Sequence, residues 1–267
     1  MIHIILLLIA ILTILIIILI KNRKYSYINK ENFPEIIDKN FVNNFFKGNV
    51  WVINLENRKD KKYRIDKILK KINIDFNFFK AIEGEKKCKD LTAGEIGCSK
   101  SHRAIWKNSL DNDMEWTLIF EDDIYIPETI TQESFGWAMK ESYFENNNPL
   151  IIYFGHCGSQ YKNPISNFNK NISISKCNAL CNHAYAIHKN VIKKLLEYTN
   201  DLCKDPIDIS IKKFFQNKNN SFCVFLDRKQ ISKDEYGEGI VLQNRDTNSD
   251  VRKREYEEGQ GKGVIIN

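Results

Sequence analysis

Residues that loosen or break a fold are scarce in this chain: five prolines and 12 glycines among 267 positions. That supply excludes collagen-like and linker-dominated protein. No Pro/Gly/Ser-rich stretch divides the chain, no internal repeat is visible, and neither common Gly-rich phosphate loop is present. Excess charge is also small, at +6, and no Lys/Arg run resembles a nucleic-acid arm. A basic surface facing a phosphorylated small molecule or an anionic membrane stays open. Cysteines number seven. An odd count without framework-like spacing reads as reduced, partly buried thiols. His156, Cys157, Cys177, Cys181 and His183 match no standard zinc framework, so buried thiols are expected there too. What is present is ordinary, with 43% hydrophobic and 28% charged residues, enough for one large or two small globular domains.

One hydrophobic run stands apart. Residues 4–20 contain only Ile, Leu, Ala and Thr13, and no Lys, Arg, Asp or Glu precedes Lys21. With the three residues before it, the run reaches the roughly 20 residues a helix needs to cross about 30 Å of hydrocarbon. It lacks the basic n-region and small-residue cleavage site of a secretory signal. A single-pass membrane protein with a transmembrane helix at 1–20 is therefore expected. Lys21, Arg23, Lys24 and Lys30 follow the run, so the positive-inside rule favours a cytosolic C-terminal domain, with a lumenal one left open. Residues 21–48 read as a polar stem interrupted at Pro34, residues 49–252 as the globular domain, and residues 253–267 as a charged flexible tail.

Within the domain, strand and helix patterns alternate. Residues 50–55 form a short apolar, β-branched run, and Tyr63, Ile65, Ile68, Leu69 and Ile72 recur at helical spacing. Residues 74–82 read as a second strand. Thr92 and Glu95 form a capping box for a helix passing through Ile96, Ser101, Ile105 and Trp106. Residues 116–120, 150–154 and 222–226 read as strands, and 191–198 and 207–215 as helices. This alternation predicts an α/β fold with a mostly parallel sheet covered by helices. In such sheets ligands sit beyond the carboxyl ends of the strands, which puts Asn54, Arg58 and the triplet Glu121, Asp122 and Asp123 on one rim.

The acidic triplet carries the chemistry. Three adjacent carboxylates after a buried strand repel one another, and a hard cation is the simplest compensation. Side chains at i and i+2 share a face, so Glu121 and Asp123 can share one ion, with oxygen ligands suiting Mn²⁺ or Mg²⁺. A solvated acidic turn is the alternative.

Several segments, in order, resemble glycosyltransferase family 25, which includes lipopolysaccharide sugar transferases and procollagen galactosyltransferases. They are Trp51, Val52, Ile53, Asn54 and Leu55 with Arg58 and Asp60; residues 79–84; residues 91–102, with Gly94, Glu95, Ile96, Gly97 and Cys98 leading to Ser101 and His102; Phe120 with the acidic triplet; His183, Ala184 and Tyr185; Pro206 and Asp208; and residues 243–252. The resemblance covers about residues 50–252. It implies a GT-A-like nucleotide-sugar-binding domain that moves a hexose, galactose or glucose, with inversion. The UDP-sugar donor would give it to a glycan, lipid-linked saccharide or protein hydroxyl. It further implies metal ligation by Glu121, Asp123 and His183, and donor binding by Asn54, Arg58, Glu83, Ser101, His102 and Asp122. Asp208, opening a helix after Pro206, is the candidate general base for the acceptor hydroxyl, with Asp205 and Asp227 as substitutes. A non-catalytic nucleotide- or sugar-binding protein of the same fold is the rival reading, and a metal-dependent phosphohydrolase a second.

Overall fold

The computed structural model describes residues 37–244 except 86, 147, 162–163, 217, 228 and 230–234. In chain order its elements begin α1 (Phe41–Phe46), β1 (Val50–Asn54), α2 (Lys59–Lys71), β2 (Asn77–Lys80), α3 (Ala93–Asp111), β3 (Trp116–Glu121), β4 (Ile124–Tyr125) and α4 (Gln132–Glu145). They continue β5 (Ile151–Tyr161), β6 (Ser166–Asn167), β7 (Ile172–His188), α5 (Lys189–Tyr198), α6 (Ile207–Phe215), β8 (Ser221–Leu226), β9 (Glu235–Tyr236) and β10 (Leu242–Asn244).

The main sheet runs β2-β1-β3-β7-β5-β8, and β6 pairs with β7. β2, β1, β3, β5 and β8 point one way, while β7 runs against its neighbours. The parallel strands are apolar on both faces, as burial on both sides requires. Period-two alternation sorts their side chains. Ile119 and Tyr153 join a cluster with Ile105 and Trp106 of α3, Leu195 of α5 and Phe215 of α6. The next residues, Phe120 and Phe154, meet Phe135 of α4, with ring centroids 6.4 and 4.7 Å apart. Helices therefore cover both faces of a mixed α/β sheet.

Two local devices position the site. Thr92 and Glu95 make the expected capping box, Glu95 N–H donating to Thr92 Oγ1 at 3.1 Å and Thr92 N–H to Glu95 Oε2 at 2.7 Å. The loop after β2 then presses on the first turns of α3 so closely that a Cβ on Gly84 would lie 1.7 Å from the Ala93 carbonyl oxygen. A short sheet, β4-β10-β9, folds back over the end of β3.

Several expectations change. The chain divides into Met1–Phe33 and Pro34–Asn267, and the described residues all lie in the second unit. The expectation of a single-pass membrane protein is corrected: among the described residues no helix is long and apolar enough to cross a membrane. The 1–20 segment behind that expectation lies outside those residues, as do the tail at 253–267 and residues 245–252. The stem is shorter than expected, because Phe41, Val42 and Phe46 of α1 are buried and Phe41 packs against Gly136 of α4. Six of the seven cysteines are not free thiols. Cys88 pairs with Cys203, Cys157 with Cys181, and Cys177 with Cys223. Disulfides persist in oxidising compartments, the opposite of the reduced thiols expected from the odd count. β7, α1 and α4 have no counterpart among the expected elements.

Candidate active site

Strand register brings the acidic turn to Asn54. β1 and β3 are parallel, with Ile53 opposite Glu121, so the next residues of both strands meet at the rim. Asn54 Nδ2 donates to Asp122 Oδ2 at 2.8 Å and to the Arg58 carbonyl at 3.3 Å. Lys61 Nζ, from the first turn of α2, pairs with Asp122 Oδ1 at 3.1 Å. Arg64, three residues on, donates to the Asp122 carbonyl at 2.9 Å. Asp122, expected at the donor, is thus locked into the turn, and its charge is answered by Lys61.

Alternation sends its neighbour the other way. Glu121 has the parity of Ile119 and faces α3, where Cys98 and His102, four residues apart, share one helical face. His102 is fully buried, with Nε2 3.4 Å from Glu121 Oε1 and Nδ1 2.9 Å from the Tyr185 hydroxyl. Trp106 Nε1 also donates to that hydroxyl at 2.9 Å. Burial works to raise the Glu121 pKa, but the His102 contact and the Lys61 charge outweigh it and hold the carboxyl below its usual value.

Asp123 has the opposite balance. Burial and the Glu121 charge push its pKa up to about 7. Gln243 Nε2 donates to Oδ2 at 3.4 Å, whereas Oδ1 is buried with no hydrogen-bond partner. A buried carboxylate oxygen without a donor is costly, and an oxygen-seeking cation relieves that cost together with the repulsion from Glu121. Glu121 and Asp123 therefore fit a hard divalent ion. His183 fits it less directly. Its Nε2 lies 3.0 Å from the Val241 carbonyl, leaving only Nδ1, which is buried and unpartnered. Burial pushes its pKa down to about 4, so the ring is neutral, as a metal ligand must be.

Asp208, in the first turn of α6, accepts from the backbone N–H groups of Cys181 at 3.3 Å and Ile209 at 2.8 Å. Burial raises its pKa despite those bonds, and the Glu121 charge adds to the rise. Burial raises the Cys98 pKa, and the charges of Glu121, Asp208 and Asp123 add to the rise. The remaining expected residues have other partners. Ser101 is buried, donating to the Gly97 carbonyl at 2.8 Å and accepting from Ile82 N–H at 2.8 Å, so it fixes the loop after β2. Arg58 pairs with Asp60 at 3.1 Å, and Glu83 is exposed on the loop. A separate cleft of about 570 Å³, lined in part by Ile68, Lys71, Glu128 and Gln132, includes none of these carboxylates.

Four residues of the site were not among those expected: Lys61, Arg64, Tyr185 and Gln243. Lys61 lies in line with the buried Ile65 and Leu69 on the inner face of α2, and a lysine heading an apolar stripe is a weak signal; Arg64 has none. Tyr185 and Gln243 fall within two segments that resemble the family, 183–185 and 243–252, without being marked there as site residues.

The chain matches the family model described as "Glycosyltransferase family 25 (LPS biosynthesis protein)" over residues 47–90 and 85–211. It is 30% identical over 147 residues to procollagen galactosyltransferase 2 of Homo sapiens, covering 43% of this chain and 22% of that protein. It is 26% identical over 117 residues to a lipooligosaccharide biosynthesis protein of Haemophilus influenzae, covering 39% of this chain and 44% of the relative. The chain thus spans less than half the length of either relative. Among solved structures, a glycosyltransferase involved in glycosylation of the major capsid of PBCV-1 superposes with a TM-score of 0.37 at 10% identity, covering 67% of this chain and 81% of the other.

Proposed function

Because the chain belongs to glycosyltransferase family 25, we propose that it transfers a hexose from a UDP-sugar to a hydroxyl of a glycan, lipid-linked saccharide or protein, with inversion. The name of the human relative favours galactose over glucose as the sugar. The observation carrying this reading is the pair Glu121 and Asp123, set either side of a locked Asp122, with a buried carboxylate oxygen on Asp123 that has no donor. A divalent cation, Mn²⁺ or Mg²⁺, held there supplies positive charge to the donor diphosphate as it leaves. His183 Nδ1 is the remaining buried group available to such an ion.

The chain's own groups supply the rest. Asn54, Lys61 and Arg64 hold the turn so that its two outer carboxylates keep their separation. Asp208 has a raised pKa, which suits a base that must take a proton near neutrality. It accepts the acceptor hydroxyl's proton as the acceptor oxygen bonds to the anomeric carbon and the bond from that carbon to the diphosphate breaks.

The test is UDP release from UDP-galactose and UDP-glucose by the full chain with Mn²⁺ and no acceptor, beside Asp123→Ala and Asp208→Asn. Release that needs Mn²⁺ and Asp123, prefers one sugar, and rises with an acceptor only when Asp208 is intact supports the reading. Nucleotide binding without turnover in any condition would favour a binding protein of the same fold, and no nucleotide binding by the folded chain would sink the transfer reading.

A further inference from the structure

We propose that Cys98, His102 and Glu121 form a second metal site, one that takes a soft divalent cation such as Zn²⁺ and shares Glu121 with the hard ion of the transfer reaction. The site itself stands on geometry alone; the sharing rests on the function proposed above.

The three ligand atoms, one sulfur, one nitrogen and one oxygen, lie within 4.8 Å of one another. Sulfur and imidazole ligands select zinc over magnesium or manganese, and three protein ligands with a fourth position open make an exchangeable site. The 3.4 Å between His102 Nε2 and Glu121 Oε1 is long for a charge-assisted hydrogen bond, which falls near 2.7–2.9 Å. It matches two corners of a tetrahedron, which stand roughly 3.3 Å apart when metal–nitrogen and metal–oxygen bonds are about 2.0–2.1 Å. The ring is held as ligating imidazoles are held, by a hydrogen bond on its other nitrogen: Nδ1 meets the Tyr185 hydroxyl, itself fixed by Trp106. Both Cys98 and His102 ride on α3, a 19-residue helix with a complete N-terminal cap, so their spacing is rigid. The thiol is also available, since the other six of the seven cysteines are paired in disulfides. Metal binding forms an Sγ–metal bond as the thiol proton leaves to solvent, and water fills the fourth position.

The experiment titrates the metal-free full chain with Co²⁺, without added thiol, and follows absorbance. One equivalent of Co²⁺ should give a thiolate-to-cobalt charge-transfer band with tetrahedral ligand-field bands, and Zn²⁺ should bleach both. Cys98→Ser should lose the charge-transfer band while keeping its far-ultraviolet circular dichroism. His102→Gln leaves the thiol in place and should weaken Zn²⁺ binding by about a hundredfold, and Tyr185→Phe, which frees the ring, by about tenfold. Mn²⁺ should bleach the band in the wild type but not in Asp123→Asn, where the hard ion has lost a ligand and the soft site has lost none. Cobalt that binds without a thiolate band, or a band that survives in Cys98→Ser, overturns the site. A wild-type band that Mn²⁺ cannot bleach refutes the sharing of Glu121. If no UDP-sugar is turned over with any ion while the band forms, the transfer reading falls and the site stands.

Discussion

Asp123→Asn should stabilise the metal-free protein while abolishing its response to Mn²⁺. The wild-type carboxyl is buried, has one oxygen without a donor, and faces the charge of Glu121, so its pKa rises from 3.8 to about 7. A raised acid pKa costs stability as pH climbs from the unfolded value, about 3.8, to the folded one, and the full cost is present above pH 7. At about 1.4 kcal/mol per pKa unit the ceiling is near 4 kcal/mol. The amide removes the charge at similar volume, and its own N–H groups have Glu121 to donate to, so about 2–4 kcal/mol should be recovered at pH 8. For a domain of this size each kcal/mol moves Tm by roughly 2–4 °C, a rise of at least about 4 °C. The gain should shrink as pH falls below 7 and vanish below about 3.8, where the wild-type group becomes protonated in both states. Differential scanning calorimetry with chelator, and again with excess Mn²⁺, measures both effects. The wild type should gain Tm with Mn²⁺ and the variant should not. A variant less stable than the wild type at pH 8, or one stabilised by Mn²⁺ as strongly, refutes the assignment of Asp123 as a carboxylate awaiting a cation.

Asn54→Ala removes the donor to Asp122 Oδ2 and should raise KM for the UDP-sugar with a stability loss of about 1–3 kcal/mol; steady-state kinetics and urea unfolding measure the two, and an unchanged KM counts against a positioning role. Cys203→Ser opens the bond to Cys88 across 115 residues, and by loop entropy should cost about 4–5 kcal/mol, read from guanidinium midpoints with and without reductant. Gly97→Ala would put a Cβ 2.5 Å from the Ile82 carbonyl oxygen, a backbone atom held by Ser101 through the adjoining N–H, and should lose at least about 3 kcal/mol. Soluble Gly97→Ala protein with a wild-type Tm would show that the loop after β2 yields easily.

The parts of this fold that were legible in the sequence are those whose pattern is local. β1, β3 and β8 are short apolar runs, and α3 announces its start through Thr92 and Glu95, so their order and the rim carrying Glu121 to Asp123 follow from sequence. β7 does not announce itself. Its first half reads Ile172, Ser173, Ile174, Ser175, Lys176, Cys177, Asn178, where polar residues break the apolar run that marks a central strand. It is nevertheless central because it bridges β3, β5 and β8 at once. α4 is hidden for a related reason: its buried face mixes Phe135, Gly136, Ala138 and Met139 with Gln132, Ser134 and Ser142, giving little apolar contrast. The disulfides span 24, 46 and 115 residues; two of them have one cysteine on β7, so missing the strand also hid those bonds, and the third joins two loops far apart in sequence. The same dependence separates the roles of the acidic triplet. Sequence identifies three carboxylates but not their faces. Once β3 is seated between β1 and β7, parity alone turns Glu121 toward His102, turns Asp122 toward Lys61, and leaves Asp123 past the strand end with an oxygen that nothing in the chain satisfies.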